Sequence, residues 1–260
     1  MTSVRDHAAA LFEARRTRTP IAPLTESEPD MTIGTAYQVQ QTFIEMLSQS
    51  EGSRVVGYKL GLTSTAMQEM LGVDEPDFSA LLDSMIRPNA ANIDLSRLIA
   101  PRVEAEVALL LGAELSGPGV TAEDASRAVR GAAAAIEVID SRIIDWRIRL
   151  ADTVSDLAST AVSVISPKWV PIDSWDPRLI GVVISRNGEI VATGAGAAVM
   201  GDPMAALAWL ANALAEYGAS LQPDWVIMTG AVHRAFEVQP NDVIRAEFDR
   251  LGPVTVRFEG

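Results

Sequence analysis

The sequence contains no cysteine and only two histidines, His7 and His233, in 260 residues. The lack of cysteine excludes disulfides, thiolate nucleophiles, iron–sulfur clusters and cysteine-ligated zinc. Since the two histidines lie far apart in the chain, a multi-histidine metal site within one chain is excluded as well. Any chemistry must therefore depend on carboxylates, hydroxyls, arginines and a lysine.

Positive charge is also scarce, because 21 Lys and Arg stand against 34 Asp and Glu, for a formal net charge of −13. A nucleic-acid partner is not expected, since binding to a phosphate backbone requires a basic face. We find no basic amphipathic stretch that suits a membrane surface, and no apolar run that approaches the ~20 residues needed to span a bilayer. Residues 1–18 lack the apolar core of a signal peptide, so a cytoplasmic location is expected.

The chain is long enough, and at 48% hydrophobic residues apolar enough, to bury a core as a single domain. Apolar residues at three-to-four spacing predict helices at 4–16 and 36–47, joined by an ordered loop that carries several prolines. Residues 1–50 are expected to form a helical segment that packs on a β core at 51–260. Within that core the pattern predicts a buried strand, a short helix and an acidic loop, at residues 54–62, 64–71 and 73–85.

Further along, Thr121 and Asp124 form a capping-box pattern that predicts the start of a helix. Asn187-Gly188 predicts a hairpin turn. The remaining helices are predicted at 153–162 and 203–217, and the strands at 102–111, 132–139, 179–185, 189–195, 225–230, 242–249 and 254–258. Because helices do not separate these strands regularly, a Rossmann or TIM layout is disfavoured. The expected fold class is α+β, with a strongly curved mixed β-sheet and peripheral helices.

Three glutamates stand out as candidate metal ligands. Glu104 and Glu106 are two residues apart in a predicted strand, so they project side by side at the edge of an apolar run. Glu137 lies in a segment of alanine, isoleucine and valine, where a buried carboxylate needs a partner. Such a set of hard oxygen donors suits Mg²⁺ or Mn²⁺ better than zinc. The alternative is that the Glu104/Glu106 face is solvated while Arg102 or Arg142 pairs with Glu137.

Lys59 is the second candidate, because the chain has only two lysines among 21 basic residues. It lies inside an apolar predicted strand, in a sequence that otherwise uses arginine. Lysine differs from arginine in being compact and in losing its proton more readily when desolvated. Lys59 could therefore hold a substrate carboxylate or transfer a proton. The alternative is an edge-strand lysine whose ammonium reaches water.

Several segments, in order along the chain, resemble the 2-keto-4-pentenoate hydratase and 4-oxalocrotonate decarboxylase family. The matching segments are Gly57-Tyr-Lys-Leu-Gly-Leu-Thr-Ser, residues 67–85, Pro101-Arg-Val-Glu-Ala-Glu, Ile136-Glu-Val-Ile-Asp-Ser-Arg-Ile, Asp152-Thr, Thr229-Gly-Ala and residues 243–252. The resemblance implies the curved sheet or roll of the fumarylacetoacetate-hydrolase superfamily. Leu157 and Ser79 depart from the family's pattern, and Leu157 could alter how a substrate carboxylate is held.

The resemblance also implies roles for individual residues. It places the metal ligands on Glu104, Glu106 and Glu137. It places the catalytic pair on Lys59 and Asp77. Apart from the resemblance, the hydroxyls of Ser159 and Thr160 could bind a substrate carboxylate, although most residues at such positions are ordinary helix caps. We also expect substrate contacts from Leu60 and Thr63.

The function implied is a Mg²⁺- or Mn²⁺-dependent hydratase of meta-cleavage catabolism of aromatic compounds. It would convert 2-hydroxypenta-2,4-dienoate (2-keto-4-pentenoate) or a homologue to 4-hydroxy-2-oxopentanoate. The alternatives are a 4-oxalocrotonate (2-oxo-3-hexenedioate) decarboxylase, a Schiff-base enzyme that uses Lys59, and a non-catalytic partner subunit. The resemblance further implies a homo-oligomer, with a complex between this chain and a sister enzyme of the pathway as a further expectation.

Overall fold

The computed structural model describes residues 2–64, 68, 73 and 75–260. Within these residues the α-helices are α1 (Val4–Thr17), α2 (Leu24–Ser27), α3 (Ile33–Glu51), α4 (Ala122–Ala128), α5 (Leu150–Ser155) and α6 (Pro203–Ala215). Thr121 caps α4 in a capping box with Asp124, as predicted. The helix predicted at 64–71 lies largely outside the described residues.

The strands of the described residues form two mixed sheets. In chain order they are β1 (Val55–Gly61), β2 (Asp77–Leu82), β3 (Ile86–Pro88), β4 (Ala91–Asp94), β5 (Arg102–Leu111), β6 (Val129–Ile139), β7 (Thr160–Ile165), β8 (Gly181–Arg186), β9 (Glu189–Ala195), β10 (Val226–Ala231), β11 (Phe236–Glu237), β12 (Val243–Phe248) and β13 (Gly252–Glu259). The larger sheet has the order β2-β1-β10-β5-β6-β7-β3, with β11 beside β5, and the smaller has the order β4-β13-β12-β8-β9. The predicted mixed-sheet fold class is confirmed.

The two faces of the larger sheet have different surroundings. Alternate residues of β5 and β6, among them Val107 and Ala134, join the smaller sheet and α6 in the main hydrophobic core. The opposite face, represented by Ala108 and Ala133, packs with apolar residues of α1 and α3 such as Phe43. Glu104, Glu106 and Glu137 share the parity of this second face. The candidate ligands therefore lie on the side of the sheet that the N-terminal helices cover.

Two predicted segments are wrong. Residues 73–85 are not a continuous loop, because β2 is buried along its whole length and pairs antiparallel with β1. Pro76, which suggested a loop, lies just before the strand, where its missing N–H breaks no ladder bond. Residues 153–162 are not a helix, because α5 ends at Ser155 and β7 begins at Thr160.

The segment Gly196–Ala215 is, by length and composition alone, apolar enough to span a membrane, although the sequence reading found no such run. In the fold it is not one straight helix, because Met200 and Gly201 have positive φ angles of 49° and 77° and separate a 3₁₀ turn from α6. Half of the apolar stretch is buried inside the protein. Most of the buried side chains of α6 belong to the main hydrophobic core.

Candidate metal and substrate site

The three glutamates meet on adjacent strands. Glu104 of β5 lies directly opposite Glu137 of β6, and Glu106 follows two residues along β5. One carboxylate oxygen from each residue lies within 4.8 Å of the others. Glu106 and Glu137 are 0% exposed, so the alternative of a solvated glutamate face is wrong.

Each of the two fully buried glutamates has one oxygen held and one left over. Glu106 Oε2 accepts a hydrogen bond from the backbone N–H of Gly230 at 2.8 Å, and Glu137 Oε1 accepts one from the Thr160 hydroxyl at 2.6 Å. Within the described part of the chain, Glu106 Oε1 and Glu137 Oε2 have no hydrogen-bond partner. Buried carboxylate oxygens are normally satisfied, so these two indicate a ligand.

The electrostatics of the cluster also favour a cation. Burial raises the pKa of Glu104 to about 7, with Lys59 opposing the shift and Glu137 adding to it. Burial, together with the charges of Glu137 and Glu104, raises the pKa of Glu106 well above its usual range. Three carboxylates face one ammonium here, and a divalent cation would neutralise the excess. Hard oxygen donors of this kind fit Mg²⁺ or Mn²⁺.

Lys59 is the cation that reaches Glu137, where the sequence had suggested an arginine. Its Nζ lies 3.4 Å from Glu137 Oε2 and donates a hydrogen bond to the Ala158 carbonyl at 2.7 Å. The side chain is buried, so the water-exposed alternative is wrong. Burial alone would lower its pKa, but the charges of Glu137, Asp77 and the other glutamates raise it above the usual range. Lys59 is therefore an ammonium.

Asp77 is the first residue of β2, opposite Gly61 of β1, and not part of a loop as predicted. Its Oδ2 accepts from the Thr153 hydroxyl at 3.2 Å, while its buried Oδ1 has no hydrogen-bond partner among the described residues. A Cβ on Gly61 would overlap the Asp77 carboxylate, so the glycine makes room for it. Burial raises the pKa of Asp77, with Lys59 opposing the shift. Asp77 is thus suited to carry a proton.

A strained turn supplies two more groups. Leu157, Ala158 and Ser159 have φ angles of 58°, 47° and 59°, a left-handed run that non-glycine residues rarely adopt. The run aims the Ala158 carbonyl at Lys59 and leaves the buried Ser159 hydroxyl without a hydrogen-bond partner in the described structure.

Arg142 holds this turn in place. Its Nη1 donates to the Thr160 carbonyl at 2.9 Å, and its Nε donates to Asp156 at 2.5 Å. Arg142 and Asp156 are both buried, so the ion pair between them is shielded from water. Arg142 therefore serves the turn, and it does not pair with Glu137.

A cavity of about 440 Å³ lies beside these groups, and of the three glutamates only Glu104 borders it among the described residues. The predicted site residues that border it are Lys59, Leu60, Thr63, Asp77, Glu104 and Ser159. The Leu60 side chain belongs to the main hydrophobic core. Thr160 does not border the cavity, but its hydroxyl donates a hydrogen bond to Glu137, one of the candidate metal ligands.

Other residues at the cavity were not singled out by the sequence as site residues. The Arg102 guanidinium stacks on the Trp146 ring, 4.4 Å from its centroid, and both residues border the cavity. Thr153 and His233 also border it. Arg102 and Thr153 stand in two segments that carry the family resemblance, Pro101-Arg-Val-Glu-Ala-Glu and Asp152-Thr, but the sequence assigned no site role to them, to Trp146 or to His233.

Comparisons with known proteins agree with this geometry. Residues 55–259 match the fumarylacetoacetate (FAA) hydrolase C-terminal family. The chain is 41% identical to the 2-keto-4-pentenoate hydratase of Paraburkholderia xenovorans (strain LB400), over 98% of this chain and 95% of that protein. It is 38% identical to the 2-hydroxyhexa-2,4-dienoate hydratase of Comamonas testosteroni, over 95% of this chain and 94% of that one.

Among solved structures, the chain is similar to the 4-oxalocrotonate decarboxylase of Pseudomonas putida G7 complexed with magnesium and adipate. The TM-score is 0.94 at 36% identity, and the match covers 98% of this chain and 97% of that one. Both lyase types that the sequence suggested are therefore present among its relatives.

Proposed function

Since this chain belongs to the fumarylacetoacetate hydrolase family, we propose that it is a divalent-metal-dependent lyase that hydrates 2-hydroxypenta-2,4-dienoate, or a homologue, to 4-hydroxy-2-oxopentanoate. One observation carries the proposal: a cluster of three glutamates, two of whose buried oxygens accept no hydrogen bond among the described residues, lies beside Lys59 and next to a cavity that Asp77 borders. The hydratase names of the relatives give the substrate class. Such dienoates arise in the meta-cleavage catabolism of aromatic compounds.

Glu104, Glu106 and Glu137 are the residues that would hold Mg²⁺ or Mn²⁺. A cation bound there supplies Lewis-acid stabilisation of negative charge at the 2-oxygen of the substrate. Thr160 and the Gly230 N–H each fix one oxygen of a ligand, which leaves the other oxygen for the metal. Partners of this kind orient ligands and tune metal affinity.

Lys59 and Asp77 have different roles in the proposed reaction, because Lys59 is cationic and Asp77 can be protonated. Lys59, held as an ammonium by the carboxylates around it, attracts the anionic substrate and is a poor base. Asp77, whose pKa burial raises, is suited to take up and release a proton, and its Oδ1 accepts no hydrogen bond among the described residues. Ser159 and Thr63 lie at the same cavity, where their hydroxyls can bind the substrate carboxylate.

The reaction balances with one water. The 2-hydroxyl loses its proton and C5 gains one, which converts the dienol to the conjugated 2-oxo-3-enoate. Water then adds its oxygen to C4 and a proton to C3. We assign these proton transfers to Asp77, because it borders the cavity and its buried Oδ1 accepts no hydrogen bond among the described residues.

Decarboxylation of 2-oxo-3-hexenedioate is the second candidate, and the similarity to the Pseudomonas putida decarboxylase favours it. It uses the same electron sink: the C5–C6 bond breaks, CO₂ leaves, and the electron pair moves to the 2-oxygen, which takes up a proton to give 2-hydroxypenta-2,4-dienoate. The ammonium of Lys59, which pairs with Glu137 and donates to the Ala158 carbonyl, speaks against the Schiff-base alternative, which needs a free amine. The complete site speaks against a non-catalytic subunit.

We also propose that residues 1–260 form one catalytic domain that acts in the cytoplasm as a homo-oligomer. The relatives are metabolic enzymes, and the N-terminal helices pack on the β core through one shared apolar cluster. A complex with a sister enzyme of the pathway is part of the same proposal.

The test is to incubate the purified protein with 2-hydroxypenta-2,4-dienoate, with and without Mg²⁺ or Mn²⁺, while following dienol absorbance and identifying the product. We expect metal-dependent formation of 4-hydroxy-2-oxopentanoate, abolished in Glu137→Gln and retained in Glu189→Gln, an exposed glutamate of β9. CO₂ release from 2-oxo-3-hexenedioate without hydration would move the assignment to decarboxylase. Inactivity on both substrates would refute the proposal.

A further inference from the structure

The backbone N–H of Ala105, between two of the proposed ligands, has an unusual partner. In a strand, the N–H and C=O of one residue point toward the same neighbouring strand. The Ala105 carbonyl accepts from the Val232 N–H at 3.1 Å, so its N–H also faces this side. There the chain leaves the ladder between Ala231, which pairs with Glu106, and Phe236, which pairs with Val103.

The imidazole of His233 occupies the place of the missing ladder carbonyl. Its Nε2 accepts the Ala105 N–H at 2.8 Å. The other ring nitrogen, Nδ1, lies 2.8 Å from the Arg234 carbonyl, which can only accept. Nδ1 therefore carries the proton, and Nε2 presents its lone pair to the strand.

The ring is held in that position. It packs against Phe236, with 5.6 Å between the ring centroids. The Arg186 guanidinium in turn lies over the Phe236 ring, 4.8 Å from its centroid. Burial lowers the pKa of His233, in keeping with a neutral acceptor. Residues 230–233 therefore contact β5 three times: the Gly230 N–H binds the side chain of Glu106, and Val232 and His233 bind the backbone of Ala105.

We propose that His233 is a positioning residue for the metal site, which fixes the β5 backbone between Glu104 and Glu106 by standing in for a strand carbonyl. The inference rests on the proposed function, because it assumes that these glutamates bind the cation. Without the acceptor, the Ala105 N–H is left unpaired where a ligand pair must be held side by side. Metal affinity then falls, as it does when other residues that support metal ligands are removed.

Two substitutions separate the acceptor from the ring. His233→Phe keeps an aromatic ring against Phe236 and loses the acceptor. His233→Gln loses the ring and keeps an acceptor, since its amide oxygen reaches about as far as Nε2. Binding of Mn²⁺ to the purified protein is measured by titration calorimetry, with the melting temperature recorded for each variant.

We expect His233→Phe to raise the Kd for Mn²⁺ by about 10- to 100-fold and His233→Gln to stay close to the wild type. If the wild type and both variants bind Mn²⁺ with equal affinity, the role of His233 is overturned. The proposed metal site would still be supported in that case, because the wild type binds the ion. Equal weakening in both variants would also overturn the role of His233, because the ring and not the acceptor would then matter. A wild type that binds no Mn²⁺ would refute the proposed function itself.

Discussion

Lys59 shows how one residue acquires its role from its surroundings. Its ammonium lies between the carboxylate of Glu137 and the carbonyl of Ala158, with Asp77 nearby across β1 and β2. Desolvation would drive off its proton, but the surrounding negative charge outweighs that effect. The residue is therefore built to stay charged, as a counter-ion for the site and its anionic substrate.

Replacing this lysine tests that role. We expect Lys59→Met to lower kcat by about 10²- to 10⁴-fold, because the substrate loses its cationic partner and Asp77 loses a neighbour that tunes its proton. The matched control is Lys168→Met, which removes the only other lysine, an exposed one bound to the Arg250 carbonyl. Steady-state kinetics with saturating metal give the result. Wild-type turnover in Lys59→Met would remove the lysine from the mechanism.

Some site residues could be predicted from sequence and others could not. Glu137 was detectable because a charged side chain in an alanine-rich, buried strand adds nothing to apolar packing and therefore needs a partner. Lys59 was detectable because the chain otherwise uses arginine. The Gly230 N–H, the Ala158 carbonyl and the imidazole of His233 were not, because backbone groups and a single loop side chain leave no periodic trace in a sequence.

At the scale of elements, β10 connects the two halves of the site. It pairs with β1, which carries Lys59, and with β5, which carries Glu104 and Glu106. Gly230 at its end has a φ of 106°, and a Cβ there would overlap the hydroxyl of Thr63. The absence of a side chain thus lets three strands and the Thr63 loop approach one another.

Gly230→Ala should therefore damage both stability and the site. We expect a loss of about 1–3 kcal/mol in unfolding free energy from the positive φ alone, with weaker metal binding because the N–H to Glu106 is displaced. Gly188→Ala is the matched control, since Gly188 has a φ of 88° with no atom within 4 Å of a Cβ. Denaturant unfolding and metal titration are compared for both variants. Unchanged metal affinity in Gly230→Ala would show that the contact to Glu106 is dispensable.

Local patterns predicted elements well where the signal lies within the element. Asn187-Gly188 correctly predicted the β8–β9 hairpin, because a two-residue hairpin turn needs positive φ angles that asparagine and glycine adopt readily. The stretch 153–162 was wrong because Leu157–Ser159 adopt a left-handed turn. That turn is imposed by Arg142 and Asp156, which no local propensity reveals.

At the scale of the whole molecule, the stability of the fold depends on a cluster of acidic side chains that lies inside it. Glu104, Glu106 and Asp77 all have pKa values raised by burial, so in metal-free protein the folded state holds protons that the unfolded state releases. A group with a raised folded pKa stabilises the fold below its unfolded pKa, and this stability is lost as pH rises through the folded pKa. For Glu104 that window runs from its ordinary pKa of 4.5 to about 7.

The expected outcome is a metal-free protein whose melting temperature falls between about pH 6 and about pH 8. Mg²⁺ should raise the melting temperature more at the higher pH, because binding requires ionised carboxylates. Differential scanning calorimetry with chelator or with excess Mg²⁺ measures both effects, and Glu104→Gln should reduce the pH dependence in chelator. If Mg²⁺ raises the melting temperature by the same amount at both pH values, the prediction is contradicted.

The parallel pairing of Lys59 with Met228 has a consequence for biosynthesis. Lys59 leaves the ribosome well before β10 is made, by roughly 10–30 s at ordinary elongation rates. During that interval the nascent chain holds β1 and β5 without the strand that later separates them, and their open edges invite wrong pairing. A translational pause or a bound chaperone before residue 226 would therefore affect the yield of active protein more than one placed after residue 231.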